Sequence, residues 1–150
     1  MYDPLTPADR DVLESVVTEF TRIGEDTMRH IGLYQHGLQV ESVGFRRWED
    51  WLAGVVVTPW FMNFMLIPTR PDQLNGVQVT EKRTIEMPRG DVVFTVGELD
   101  GIGLYLAASL YSPMGRFANQ SVAVTTAFAA VDKYFKVPEA EEPTPCNDRA

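Results

Sequence analysis

The run from Asp91 to Met114 leaves this chain little freedom in how it folds, because it spells two alternating strands joined by a turn. Val92, Phe94 and Val96 recur at every second residue, and Ile102, Leu104, Leu106, Ala108 and Leu110 do so again, which places each set on one face of a strand. Between them stands Glu98-Leu99-Asp100-Gly101. Asp-Gly bracketed by alternating apolar runs is a hairpin signal, since glycine takes positive φ without steric cost and aspartate tolerates it. Ser112-Pro113 ends the second strand, because proline has no N–H to give to a ladder.

From the start of the chain, Thr6-Pro7-Ala8-Asp9 predicts a helix: the Thr6 hydroxyl caps, Pro7 suits the first helical position, and Asp9 favours the positive end of the dipole. The helix is expected to run to about Ile31, with Val12, Leu13, Val16, Val17, Phe20, Ile23, Thr27 and Ile31 on one apolar stripe and Gly32 as its stop. From Leu38 the period shortens to two. Val43 and Phe45 alternate within Gln39 to Arg47, Glu49-Asp50 is a tight polar break, and Trp51 to Thr58 holds the β-branched run Val55-Val56-Val57. This predicts a second hairpin, ended by Pro59. Trp60 to Asn63 is expected to form a short helical turn before a brief strand from Phe64 to Ile67. Thr69 to Gly76 is a loop by composition, Val79 to Met87 another strand, and Pro88-Arg89-Gly90 the turn back to Asp91. Phe117, Ser121, Val124, Phe128, Val131 and Phe135 then step by four and three, which predicts a second helix stabilised mainly by packing on the sheet.

That order predicts an α+β fold: an antiparallel β-sheet built from hairpins, packed against an N-terminal helix and a C-terminal helix. A length of 150 residues suits one domain, residues 1–137. The acidic, proline-rich stretch 138–150 is expected to be a disordered tail. With 13 basic and 21 acidic residues the formal charge is −8, which repels phosphate backbones and anionic lipid, so nucleic acid is not an expected partner. No apolar run reaches the roughly 18–20 residues of a membrane span, and Met1-Tyr2-Asp3-Pro4 lacks the features of a signal peptide, so a cytoplasmic protein is expected. The single cysteine, Cys146, makes no intramolecular disulfide and no cysteine-based zinc site.

Candidates for chemistry are sparse. Glu98 and Asp100 are a carboxylate pair that could share acid–base work only in environments that separate their pKa values, and turn chemistry is the preferred account of both residues. His30 and His36 lack ligand spacing. Cys146 lies in an acidic stretch without a base to activate it. Gly97, Gly101 and Gly103 lead from strand into strand, not into a helix whose N-terminus holds phosphate. Arg46 and Arg47 with Trp48 and Trp51 read either as a cationic and aromatic contact surface or as hairpin residues packed on the core. Trp60-Phe61-Met62 and Phe64-Met65-Leu66 are apolar on both parities. That stretch is either a strand buried on two sides or one that exposes a face to partners. No catalytic, cofactor-binding or metal-ligating residue is assigned.

Two stretches carry a family resemblance. Phe94-Thr95-Val96-Gly97-Glu98-Leu99-Asp100-Gly101, followed by Tyr105-Leu106 and Ser109-Leu110-Tyr111-Ser112-Pro113, and, earlier, Thr58-Pro59-Trp60-Phe61-Met62 before Ile67-Pro68, resemble the HybE/HupJ family of [NiFe]-hydrogenase assembly chaperones. The resemblance spans roughly residues 10 to 135 and is more specific than a lone short motif. It implies a non-catalytic chaperone that binds the large- and/or small-subunit precursor of a [NiFe] hydrogenase, with other maturation proteins as further partners, before twin-arginine export. Some relatives are associated with a rubredoxin module, which needs paired cysteines that Cys146 alone does not supply. The turns at strand ends, where loops carry function, point to a partner-binding surface where the two motifs are expected to meet: Thr58, Pro59, Trp60 and Met62 on one segment, Glu98, Leu99, Asp100 and Gly101 on the other. Trp60 beside acidic Glu98 and Asp100 would suit a client segment that combines apolar and basic residues. Two other classes stay open. A generic peptide-binding adaptor would take unrelated extended peptides on a sheet edge, and a small hydrolase would need Glu98 and Asp100 to face one pocket.

Overall fold

The computed structural model describes residues 4–137. Its first helix, α1 (Pro7–Asp26), begins on a complete capping box: the Thr6 hydroxyl accepts from the Asp9 N–H at 3.0 Å, and the Asp9 carboxylate accepts from the Thr6 N–H at 2.9 Å. The same carboxylate is buried and holds the Arg47 guanidinium at 2.6 Å, so the cap also pins the helix to the first strand. Burial pushes the Asp9 carboxyl up, but the hydrogen bonds from Arg47 and Thr6 and the guanidinium charge outweigh it and hold its pKa below the ordinary value. A folded pKa below the unfolded one gives stability that is present above the unfolded value, about 3.9, and is lost as pH falls through the folded one. Asp9→Asn is therefore expected to cost about 1–2 kcal/mol at neutral pH and distinctly less near pH 2. Urea denaturation at the two pH values checks this, and an equal loss at both would remove the carboxylate charge as the source.

The helix stops at Asp26 instead of Ile31. Thr27 leaves helical geometry (φ −132°, ψ −57°), a single 3₁₀ turn follows at Met28–His30, and Ile31 is exposed. The tertiary reason is that the chain folds back there. Gly24 is buried beneath Trp60 and Tyr34, with the Trp60 ring 3.0 Å from where a Gly24 Cβ would stand.

Six strands follow: β1 (Glu41–Trp48), β2 (Trp51–Val57), β3 (Met62–Pro68), β4 (Lys82–Met87), β5 (Gly90–Leu99) and β6 (Gly103–Tyr111). They form one sheet in the order β1-β2-β3-β6-β5-β4, with every neighbouring pair antiparallel. Both expected hairpins form. Trp48 pairs with Trp51 across Glu49-Asp50, and Leu99 pairs with Gly103 across Asp100, Gly101 (φ +81°) and Ile102. β4 starts at Lys82, not Val79: Thr80 takes a left-handed conformation (φ +76°) that is rare for a residue with a Cβ, and regular pairing with β5 begins at Lys82 opposite Thr95. The expected helical turn at Trp60–Asn63 is absent. The Thr58 hydroxyl accepts from the N–H groups of Trp60 (3.1 Å) and Phe61 (2.9 Å), and the Thr58 N–H donates to the Phe61 carbonyl at 2.8 Å. Those bonds close a tight turn on the side chain, and β3 begins at once at Met62.

The second helix, α2 (Gln120–Phe135), is capped by Asn119, whose side-chain oxygen accepts from the Val122 N–H at 3.0 Å. The helices lie on opposite faces of the sheet. Leu13, Val16 and Phe20 pack with Leu52, Val56, Met65, Ile67 and Leu99, whereas Ala123, Ala127, Val131 and Phe135 pack with Val55, Phe64, Leu66, Phe94 and Leu106. β2 and β3 are therefore covered on both sides, which is why Met62, Phe64, Met65 and Leu66 are fully buried and the stretch is apolar on both parities. The face of α2 differs in part from the expected stripe: Val131 and Phe135 are buried as expected, but Ser121 is exposed, Phe128 is 52% exposed with one ring edge against Gly44, and Ala123 and Ala127 face the sheet in their stead. Small side chains let the helix approach a bulge in β1, where Gly44 (φ +68°) has a Val131 methyl 3.1 Å from its missing Cβ. Trp48 is buried edge-on to Phe135, and Arg46 lies over the same ring at 4.8 Å, so these hairpin residues pack on the core. The expected tail 138–150, with Cys146, lies outside the described residues.

Candidate functional site

Thr58-Pro59-Trp60-Phe61-Met62 makes the turn from β2 to β3. Thr58, Pro59 and Met62 are buried and Trp60 is half-buried. The Trp60 ring stacks on Tyr34 (centroids 6.1 Å apart, planes at 18°) and meets Phe20 and Phe61 edge-on at 6.4 and 5.4 Å. The Gln35 N–H donates to the Pro59 carbonyl at 2.8 Å and its side-chain amide to the Phe117 carbonyl at 3.0 Å. The segment after α1 is thus tied to both the turn and the approach to α2. Burial, with the Glu25 charge added, raises the Tyr34 hydroxyl above its usual pKa, and the phenol stays protonated.

The second motif is at the β5–β6 turn. Leu99 is buried in the α1 cluster, while Glu98, Asp100 and Gly101 are exposed. Glu98 pairs with Leu104 and so shares the α2 side with Phe94 and Val96. Asp100 and Gly101 instead stand beside α1, where with Glu14, Ser15, Thr18 and Glu19 they line an open groove of about 420 Å³. The two carboxylates do not face one pocket, which removes the geometry that paired acid–base work needs. A hydrogen bond from Arg22 holds the Glu19 carboxyl below its ordinary pKa and the same guanidinium balances its charge, so the groove carboxylates without a salt bridge among the described residues are Glu14 and Asp100.

The two motifs do not meet. Met62 pairs with Tyr111 and Leu99 with Gly103, so the turns lie at opposite ends of β6, eight positions apart (103 to 111), or roughly 27 Å at the rise of a strand. What joins them is α1. Leu13 and Val16 share a cluster with Leu99, and Phe20 and Gly24 lie against Trp60. The expected pairing of Trp60 with Glu98 and Asp100 is replaced by two separate places, a mostly buried aromatic corner and an acidic groove. Glu14, Ser15, Thr18 and Glu19 are the groove residues that sequence reasoning missed. Their only signal is that they sit off the apolar stripe of α1, which marks a solvated face and not the wall of a groove. Among the described residues, no helix is long and apolar enough to cross a membrane.

Comparison with known proteins adds to this geometry. Residues 11–150 match the family described as "[NiFe]-hydrogenase assembly, chaperone, HybE". The hydrogenase expression/formation protein HupJ of Bradyrhizobium diazoefficiens is 37% identical over 123 residues, which cover 82% of this chain and 71% of that protein. A probable rubredoxin HupJ of Rhodobacter capsulatus is 35% identical over 130 residues, which cover 87% of this chain and 47% of that protein, so the chain spans about half the length of that relative. Among solved structures, the solution structure of HybE from Escherichia coli is similar with a TM-score of 0.68 at 28% identity, covering 93% of this chain and 86% of that one.

Proposed function

The chain belongs to the HybE family of [NiFe]-hydrogenase assembly chaperones, and from that premise we propose that it binds the precursor of a hydrogenase structural subunit in the cytoplasm, before twin-arginine export, without catalysing a reaction on it. The observation that supports this reading is the acidic groove at Asp100. It lies at the turn bearing the longer family motif, and its exposed carboxylates are available to a client from outside. A twin-arginine signal sets adjacent guanidinium groups beside an apolar run. Guanidinium groups pair with carboxylates in a fork geometry, and carboxylates of one sign along a groove steer such a segment in and select it. In this reading Trp60 supports the groove through α1 and does not itself anchor the client. Other maturation proteins are further partners, met through the surface the client leaves open.

The test is Glu14→Gln combined with Asp100→Asn, two exposed changes that remove charge and keep shape. Capture of small- and large-subunit precursors is compared with the parent in low salt and in about 0.5 M salt. The expected result is roughly tenfold weaker capture of the twin-arginine precursor in low salt, with parent and variant converging as salt screens the exposed charges. Unchanged capture of both precursors by a folded variant would remove the groove as the client site. Equal binding of unrelated extended peptides would favour a generic adaptor. Trp60→Ala is unsuited to this test, since it opens the aromatic cluster and reports stability instead of contact.

A further inference from the structure

A second groove of opposite character lies on the other face of the sheet, between α2 and β6, with a volume of about 530 Å³. Its apolar surface comes from Leu110, Tyr111, Ala130 and Tyr134, and Arg89 and Lys133 stand among them. The Arg89 N–H donates to the Tyr134 carbonyl at 3.3 Å, which fixes the β4–β5 turn against the last turn of α2. The guanidinium is close enough to oppose the effect of burial on the Tyr134 hydroxyl. A third cation, the Arg116 guanidinium, lies 4.8 Å over the ring of the groove residue Tyr111. None of these three cations forms a salt bridge among the described residues. Asp91 and Glu86 pair across the nearby β4–β5 hairpin on the α1 side, by strand alternation from Val92, and so turn away from the groove.

A chain of formal charge −8 disfavours acidic segments on average, so a place where cations gather around an apolar floor, with no salt bridge among the described residues, is distinctive. We propose that this groove docks an extended acidic segment of a partner protein, with apolar side chains on Leu110, Tyr111, Ala130 and Tyr134 and carboxylates on Arg89 and Lys133. The volume falls within the range of about 300–1,000 Å³ typical of binding clefts, and charge complementarity selects the occupant. Leu110 and Tyr111 belong to the Ser109–Pro113 part of the longer motif, so that motif reaches both faces of the sheet through one strand. The groove is chemically independent of the acidic one and does not rest on the identity of the client there.

The experiment is a titration of the full-length, isotope-labelled protein with acetyl-Leu-Glu-Leu-Glu-Leu-amide, followed by amide chemical shifts, beside the same peptide with glutamine or with lysine in place of glutamate. The expected result is saturable shifts centred on Leu110, Tyr111, Ala130 and Lys133 with the glutamate peptide, at least tenfold weaker binding of the other two, and a loss of tenfold or more in Arg89→Gln/Lys133→Gln. Lys133→Gln alone, at an exposed helix position, keeps the test open should the double variant fail to fold, with an expected loss of about threefold. Shifts centred elsewhere, equal binding of the lysine peptide, no binding, or variants that bind as the parent does would overturn the proposal. Binding that appears only after residues 138–150 are removed would overturn it too, by giving the groove to the chain's own acidic end.

Discussion

Phe64→Ala is expected to lower stability by about 3–5 kcal/mol, a large share of the total for a domain of this size. Phe64 is fully buried on β3, stacks on Tyr134 with ring centroids 4.2 Å apart, and lies 6.1 Å from both Phe94 and Phe135. The cost is high because the site cannot collapse. β3 is hydrogen-bonded on both edges, to β2 and β6, and both its faces are covered, so the backbone is held where it is while the ring is deleted. At about 2–4 °C per kcal/mol, the melting temperature should fall by about 6–20 °C. Urea denaturation measures the loss. A value below about 1.5 kcal/mol would mean that α2 settles into the vacated space and that its seat on the sheet is softer than the packing implies.

Gly54→Ala is expected to cost about 3 kcal/mol although it adds a single methyl group. A Cβ at Gly54 would stand 2.6 Å from ring atoms of Phe45 and 2.7 Å from the Phe45 Cα. The ring can turn; the Cα cannot move without breaking the β1–β2 ladder next to its bulge. Gly97 is the informative control. Its added Cβ would meet only the far end of Tyr105, the ring carbon Cζ at 2.6 Å and the hydroxyl at 2.7 Å, which lies across Gly97 from the paired strand. A side-chain tip swings aside at modest cost, so Gly97→Ala should lose less than half as much. Equal losses at the two glycines would show that backbone contact is not what makes Gly54 necessary.

How much of this was legible in the sequence follows from the range of the forces involved. The start of α1 at Thr6, the hairpin turns at Glu49-Asp50 and Asp100-Gly101, and the end of β6 before Ser112-Pro113 are each decided within a few residues, by a cap, a tolerated dihedral or a missing N–H. The alternation in β5 and β6 also predicts which residues share a face, and the two-sided apolar pattern at 60–67 already contained a strand buried on both sides among its readings. The α+β class follows from that order of elements, and the similarity to the HybE structure agrees with it. The acidic character of Asp100 and the aromatic character of Trp60 were equally legible as chemistry.

What local pattern left undecided depends on contacts between residues far apart in sequence. α1 ends at Asp26 where Tyr34 and Trp60 close over Gly24, and the Thr58 hydroxyl captures the turn that propensity assigned to a helix. α2 turns alanines inward because the sheet surface beneath it is close, a distance that no helical periodicity encodes. The candidate site depended most on this. A period of two states that Glu98 and Asp100 differ in direction only once the turn geometry and its packing partner are known, and nothing local says that β6 separates Trp60 from Asp100 by its whole length. Dihedral preferences and hydrogen-bonding capacity are properties of a few adjacent residues, so local pattern sufficed for most elements and for the faces of the strands; strand order and helix placement minimise exposed apolar area over the whole chain, so which face of α2 met the sheet and which motif residues became neighbours followed from long-range packing alone.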